Sequence, residues 1–362
     1  VTANPIRVLV VDDSAFMRTV ITQMLAGADD IEVVGQAADG KTGLQMARDL
    51  KPDVITLDVE MPVLSGLEML RVLMSSHPTP VIMLSTLTHA GAQTTMQALE
   101  LGAVDYLPKN MEGGPLGMRK IAPLLIDKVR AVGSGATREA LKHAQHNAPA
   151  RPVAVPKAAP GAGPAGPFRV VGIGASTGGP TALCELIPAL PADLNAAILV
   201  VQHMPPGFTR ALAERLDRLG PLSVSEAREG APLKAGTIHV APGSRHLAVV
   251  RDTEGLKVHL TDTPKLPMMP SVDVLFNSLA TVCPASTLGV VLTGMGTDGC
   301  AGAGSLVRAG APVVAQAERG CLVFGMPRAV AEAGLAARVV ELEHMAEEIY
   351  MTANTALRIP VA

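Results

Sequence analysis

Short apolar runs alternate with helically periodic stretches from the start of this chain, and that alternation leaves few folds open. The runs fall at 7–11, 32–35, 54–57, 81–84 and 104–107, and a last helix is predicted near 118–129. Each run is apolar on both faces, as in strands that helices cover from both sides. Five such units with short connections predict an α/β domain with a five-stranded parallel sheet in the flavodoxin-like order. The pattern then stops. Between 133 and 168 Ala, Pro and Gly dominate, and Pro149, Pro152, Pro156, Pro160, Pro164 and Pro167 recur without apolar periodicity. Such a stretch buries no core and reads as a semi-rigid linker. Alternation resumes with strands near 170–174, 197–201, 237–240, 247–250, 258–260, 288–292 and 313–315. Helices are predicted over 180–190, 207–219, 272–282, 300–309 and 326–333. The expected organisation is a first domain over 1–132, a linker over 133–168 and a second domain over 169–362. The second domain is expected to be Rossmann-like and doubly wound, a mainly parallel sheet with a β-hairpin insertion around 237–260.

Composition narrows the function. Aromatic residues make up 2% of the chain and Trp is absent, which argues against stacking platforms for single-stranded nucleic acid. A formal charge of −3 leaves no basic footprint for nucleic acid or an anionic membrane. Cys184, Cys283, Cys300 and Cys321 are scattered without metal-ligand spacing and read as reduced thiols. The first apolar run is too short for a secretory signal, and no run reaches membrane-spanning length. A cytoplasmic, monomeric protein without membrane insertion is expected.

In the first half, the strand ends carry acids. Asp12 and Asp13 follow the first run, Asp58 the third, Ser85 the fourth and Lys109 the fifth. The first and third strands are neighbours in the predicted order, so three carboxylates converge. Such a cluster repels itself unless a cation relieves it, and hard oxygen donors with room for water suit Mg²⁺. Lys109 and Ser85 then stand ready to hold a phosphoryl group beside Asp58. Taken singly, each acid is equally a solvated residue after a strand. Together with Tyr106, these positions resemble a bacterial response-regulator receiver domain. The resemblance implies that Asp58 is the phosphoacceptor, served by the phosphohistidine of a histidine kinase. It implies Mg²⁺ on Asp13 and Asp58, with Asp12 acting through water. Asn110 stands where the family usually has proline, which excludes a cis X-Pro bond there.

In the second half, Val170-Val171-Gly172-Ile173-Gly174-Ala175-Ser176-Thr177-Gly178-Gly179-Pro180 reads as a strand, a tight turn and a helix start. A serine in that turn is accessible, and helix N–H groups point toward it. Serine needs a base and a group orienting that base. His203 follows the 197–201 run, and Asp298 lies in the Gly-rich turn after 288–292. Both fall at the same sheet edge as Ser176. The backbone N–H groups of Thr177 and Met295 are the candidate oxyanion donors. Plainer readings stand beside these. Ser176 and Asp298 are both plausible helix caps, and His203 is plausible as a loop histidine. His239 and His246 are rival bases, placed with the hairpin and away from Ser176. Gly172 and Gly174 open a near-match to a dinucleotide fingerprint, with Asp193 at the ribose-acid distance, but Thr177 stands where its third glycine belongs.

Further stretches sharpen the choice. Gln202-His203-Met204-Pro205-Pro206-Gly207, Pro270-Ser271-Val272-Asp273 and Leu292-Thr293-Gly294-Met295-Gly296-Thr297-Asp298-Gly299 accompany the serine turn. With it they resemble the catalytic domain of the bacterial chemotaxis protein-glutamate methylesterase/protein-glutamine glutaminase (CheB) family, from about 170 to 340. The resemblance implies a Ser176–His203–Asp298 triad acting on glutamate γ-methyl esters of methyl-accepting chemoreceptors, releasing methanol, and deamidating receptor glutamines. No cofactor is expected for hydrolysis. The linker then lets the receiver move when Asp58 is phosphorylated. Met268 and Met269 stand where the family often has arginine, which leaves Arg210 or Arg245 as substitutes for basic docking. The alternatives are a non-enzymatic receptor-binding scaffold, a nucleotide-dependent oxidoreductase and a DNA-binding regulator.

Overall fold

The computed structural model describes residues 4–86, 88–109, 121–133, 137 and 169–354. The chain divides into two compact units, Val1–Ala148 and Pro149–Ala362. Nearly all of the predicted linker, and Asn110 with it, lies outside the described residues.

In the first unit five strands alternate with helices: β1 (Ile6–Val11), α1 (Ala15–Leu25), β2 (Ile31–Ala37), α2 (Gly40–Leu50), β3 (Val54–Asp58), α3 (Gly66–Ser76), β4 (Val81–Thr86), α4 (His89–Glu100), β5 (Asp105–Lys109) and α5 (Ala122–Val132). The sheet order is β2-β1-β3-β4-β5, all parallel. Helix starts are set locally. Ser14 accepts from the Met17 N–H to cap α1, and Ser65 and Glu68 form a reciprocal capping box on α3. The last helix begins at Ala122, four residues after the predicted start, with Pro123 in its first turn, where no N–H is needed.

The second unit runs β6 (Arg169–Ala175), α6 (Gly179–Ala189), β7 (Ala196–Gln202), α7 (Phe208–Leu219), β8 (Ser223–Glu226), β9 (Thr237–Val240), β10 (His246–Asp252), β11 (Gly255–Thr261), α8 (Val272–Val282), β12 (Thr287–Val291), α9 (Cys300–Arg308), β13 (Val313–Gln316), α10 (Met326–Glu332), β14 (Arg338–Val340) and α11 (Leu342–Asn354). Seven strands form one parallel sheet in the order β14-β13-β12-β6-β7-β9-β8.

The hairpin is narrower than its sequence suggests. Among the strands described, β10 and β11 alone pair antiparallel, while residues 237–240 belong to the main sheet between β7 and β8. The short apolar runs at 237–240 and 247–250 look alike, but the Ala241-Pro242-Gly243 turn takes the chain out of the sheet between them. The edge strands β8 and β14 were not anticipated, being four and three residues long. The glycines of the near-fingerprint serve packing. A Cβ on Gly172 would lie 2.7 Å from Leu279 Cδ1, and one on Gly174 would lie 2.4 Å from Val272 Cγ1. Both let α8 lie close on β6, with Phe276 and Leu279 fully buried. Burying each such side chain stabilises the unit by roughly 1.5–3 kcal/mol.

In both sheets the chain winds outward from one strand in two directions. In the first unit that strand is β1, flanked by β2 and β3; in the second it is β6, flanked by β7 and β12. The carboxyl ends at such a switch point frame a crevice.

Candidate active site

In the first unit the charges do meet. Lys109 Nζ lies 2.7 Å from Asp58 Oδ2 and 2.9 Å from Asp12 Oδ2. Asp12 Oδ1 accepts from the Ser14 N–H at 3.0 Å, and Asp58 Oδ1 from the Val59 N–H at 2.7 Å. Burial pushes the Asp58 carboxyl above its ordinary value, although Lys109 pulls the other way. Burial also works against the Lys109 ammonium, but the Asp58 and Asp12 charges outweigh it and raise its pKa. Asp12, Asp13 and Asp58 offer oxygens within 4.8 Å of one another, with Asp13 on the exposed side. Hard oxygen donors on one open side fit a magnesium ion that keeps several waters. Tyr106 is buried, which holds its phenol well above the usual range. Ser85 lies one residue past the β3–β4 partner of Asp58, but its hydroxyl donates to the Gly91 carbonyl at 3.1 Å. It must rotate to meet a phosphoryl oxygen.

In the second unit Ser176 directly follows β6. Its N–H donates to the Thr293 carbonyl at 3.0 Å, and its carbonyl accepts from the Gly179 N–H and from Gln202 Nε2, each at 2.8 Å. The turn is thus pinned at both ends. Helix α6 starts at Gly179 with Gly178 as its N-cap, so Ser176 is no cap. Gly178 has φ 79°, where a side chain would be strained. A Cβ on Gly294 would stand 2.8 Å from Ser176 Cβ, so only glycine lets that loop come so near the serine.

Ala175 and Gln202 are register partners on β6 and β7, so Ser176 and His203 leave adjacent strands side by side. The His203 N–H donates to the Ala175 carbonyl at 3.1 Å. His203 Nε2 lies 2.7 Å from Asp298 Oδ2. Asp298 also accepts from the Val272 N–H at 2.7 Å, Ser271 Oγ at 2.8 Å, and the Asp273 and Gly299 N–H groups at 3.1 Å. Burial alone would raise its pKa, but the bond to His203, its charge and the backbone donors hold it at about 2. An ionised Asp298 requires a proton on Nε2, so the neutral ring carries its lone pair on Nδ1. That Nδ1 is buried and has no partner among the described residues. A buried polar atom without a partner requires an explanation, and an acceptor beside a serine turn is one.

The rival bases fall away on geometry. His246 Nδ1 accepts from the Ser271 N–H at 3.1 Å, and Nε2 lies 2.9 Å from the Pro264 carbonyl, so both nitrogens are committed. His246 is also nearer the site than expected, joined to Asp298 through Ser271. His239 lies within β9 in the main sheet with both ring nitrogens buried and partnerless among the described residues, so no carboxylate there orients the ring, and burial lowers its pKa. Asp193 sits in an exposed turn before β7. Arg210 pairs with Glu214, and Arg245 with Asp262 and the Leu260 carbonyl. Met268 is exposed, and the Met269 carbonyl accepts from Ser244. Sequence reasoning missed Gln202, Ser271 and Asp273 as parts of the site. Gln202 adjoins His203 in a quoted motif, and Ser271 and Asp273 lie in a quoted motif that holds no predicted site residue, which was the available signal.

An acid–lysine cluster on a five-stranded sheet, followed by a serine turn on a seven-stranded one, defines a response regulator with a hydrolase-type output domain. Residues 171–349 match the model of the CheB methylesterase family, and residues 8–117 that of the response regulator receiver domain. The chain is 47% identical over 353 residues to a protein-glutamate methylesterase/protein-glutamine glutaminase of Symbiobacterium thermophilum, covering 96% of each chain. It is 43% identical to the Bacillus subtilis protein of the same name, covering 95% of this chain and 97% of that one. The crystal structure of the Thermotoga maritima CheB methylesterase catalytic domain matches with a TM-score of 0.50 at 40% identity, covering 51% of this chain and 99% of that one. The chain belongs to the CheB methylesterase family.

Proposed function

We propose that this chain hydrolyses glutamate γ-methyl esters on chemoreceptors, releasing methanol, and deamidates receptor glutamines by the same chemistry. The observation that carries the reading is the partnerless, buried Nδ1 of His203, whose other nitrogen is held by Asp298. Ser176 Oγ attacks the ester carbonyl and gives its proton to Nδ1. The N–H groups of Thr177 and Met295 receive the oxyanion; among the described residues the Met295 N–H has no acceptor. The C–O bond to the methoxy group then breaks, and methanol leaves with the proton from Nδ1. Water, deprotonated by the same nitrogen, attacks the acyl-serine, which frees the glutamate and restores Ser176. With glutamine as substrate, ammonia leaves instead. Asp298 keeps the ring in one tautomer and stabilises the imidazolium.

In the receiver, an Asp58 oxygen attacks the phosphorus of a histidine-kinase phosphohistidine, and the P–N bond breaks. Asp13 and Asp58, with Asp12 through water, would hold Mg²⁺. Bound there, the ion offsets the charge of the incoming phosphoryl oxygens. Lys109 supplies a second positive charge from the end of β5. Phosphorylation of Asp58 activates hydrolysis. A cytoplasmic location fits the absence, among the described residues, of any helix long and apolar enough to cross a membrane.

The test is methanol release from methylated receptor, with and without a small-molecule phosphodonor. Ser176→Ala should abolish release, and Asp58→Asn should keep basal release but lose activation. Receptor binding without methanol release in the wild type would favour the scaffold reading.

A further inference from the structure

Two aspartates exchange helix caps beneath the triad. Asp298 stands just before α9, yet its carboxylate reaches across to the start of α8. There Oδ2 accepts from the Val272 N–H at 2.7 Å and Oδ1 from the Asp273 N–H at 3.1 Å. Asp273, the second residue of α8, returns the contact. Its Oδ1 accepts from the Gly299 N–H at 3.0 Å and the Gly302 N–H at 2.6 Å, at the start of α9. Ser271 and Gly299 occupy the two N-cap positions, and neither caps its own helix through a side chain. Ser271 Oγ is spent on Asp298 instead.

We propose that Asp273 is a positioning residue of the hydrolytic reaction: by capping α9 it fixes the Gly299 turn and so keeps the Asp298 carboxylate on His203. The inference rests on the Ser176–His203–Asp298 reading. Upstream the loop that carries Asp298 is anchored at Gly294, whose N–H donates to the Val323 carbonyl at 3.0 Å and whose carbonyl accepts from the Gly325 and Met326 N–H groups at 3.1 and 2.8 Å. It contains Gly294, Gly296 and Gly299, the last two at φ 84° and 93°, and both Gly296 and Thr297 are exposed. Glycine-rich backbone of this kind has no conformation of its own to prefer. Between Gly294 and α9 its geometry is set by the Asp298 carboxylate on the start of α8, by the Cys300 N–H on the Thr297 carbonyl at 3.0 Å, and by the Gly299 N–H, which is shared between Asp273 and Asp298 at 3.0 and 3.1 Å.

The groups that face this pair are few. His203 comes from the end of β7, Asp273 from α8, and Cys300 from α9, where Asp273 adds to the rise in its thiol pKa. His246 on β10 reaches the pair only through Ser271. Burial pushes the Asp273 carboxyl above its ordinary value; its N–H donors pull against that, and the Asp298 charge adds to it.

The experiment compares Asp273→Ala and Asp273→Asn in the full-length protein, measuring kcat, KM and the pH dependence of kcat/KM. Losing the cap in Asp273→Ala should lower kcat by roughly tenfold or more, as small misplacements of catalytic groups do, with KM within about twofold. The acid limb of kcat/KM should also move, because the carboxylate that faces the imidazole ring is displaced. Asparagine caps about as well as aspartate, so Asp273→Asn should recover most of the lost kcat and move the acid limb less. The proposal is overturned if Asp273→Ala unfolds more readily but keeps kcat and the acid limb. It is also overturned if Asp273→Asn is no better than Asp273→Ala. Ser176→Ala, run alongside, separates the two failures. If it still hydrolyses, the triad reading is wrong; if it is dead while Asp273→Ala is fully active, only the positioning role is wrong.

Discussion

Gly294→Ala tests whether close approach to the serine turn sets the rate. The new Cβ would lie 2.4 Å from Met326 Sδ, 2.8 Å from Ser176 Cβ and 3.1 Å from Ser176 N. The thioether is the end of a flexible side chain and can move aside. The Ser176 contacts cannot, because its N–H and carbonyl are both pinned, to Thr293 and to Gly179 and Gln202. Ordinary contact begins at 3.4 Å, so Ser176 must retreat by about 0.6 Å. A misplacement of ~1 Å costs about 10²-fold, so kcat should fall roughly tenfold. Overpacking should also cost about 1–3 kcal/mol of stability. Gly310→Ala is the control. Its φ is 83° with nothing within 4 Å of a new Cβ, so it carries strain without the clash. That strain is worth about 1–2 kcal/mol. The assay is methanol release at saturating methylated receptor, normalised to folded protein, with urea unfolding in parallel. The reasoning fails if Gly294→Ala keeps wild-type kcat, or if Gly310→Ala loses as much.

Two other perturbations are as direct. Val63 is β-branched, 82% exposed and held at φ 66° in the loop after Asp58. Asparagine tolerates that region, so Val63→Asn should stabilise the receiver by about 1 kcal/mol and raise its Tm by roughly 4–8 °C; an unchanged or lower Tm refutes the strain. Asp298 is ionised down to a folded pKa of about 2, below the ordinary 3.8. A depressed carboxylate pKa adds stability that is complete above the unfolded value and is lost as pH falls toward the folded one. The stability gap between wild type and Asp298→Asn should therefore shrink between about pH 5 and pH 2 in urea unfolding. A gap that stays constant would show that the carboxylate charge is not its source.

The parallel sheets were legible because strands buried on both faces write continuous apolar runs. The run at 54–57 sits within β3, and that at 288–292 covers β12 from its second residue to its end, and both strands have every residue buried. The residues at the carboxyl ends followed from that, since a strand order names its switch point. What stayed hidden depends on direction or on distant partners. Ser85 falls at the expected strand end, yet nothing in its type says that its hydroxyl turns to Gly91. The reversed imidazole, with Nε2 on the acid, is likewise invisible in a string of letters. Asp273 looks like any acid in a helix's first turn, and its partners Gly299 and Gly302 lie 26 and 29 residues away. β9 was drawn into the hairpin because a buried parallel strand and a hairpin strand of four residues look the same.

The two clusters treat charge in opposite ways, and the difference matches their work. Asp58 and Asp12 share one ammonium, at 2.7 and 2.9 Å, and burial leaves Asp58 with a raised pKa. A point charge such as Lys109 can follow a new negative group without breaking a fixed geometry. On the proposed reading, a phosphoryl group added to Asp58 would redistribute contacts that were already in balance. Asp298 is held by directional donors instead: three backbone N–H groups, one hydroxyl and one imidazole. Its pKa of about 2 places it out of reach of any proton the reaction handles. In the proposed reaction the proton that moves is the one Nδ1 accepts from Ser176 and then returns to the leaving group. A hydrolase that must turn over in one geometry needs that restriction, and a receiver that must change state needs its opposite.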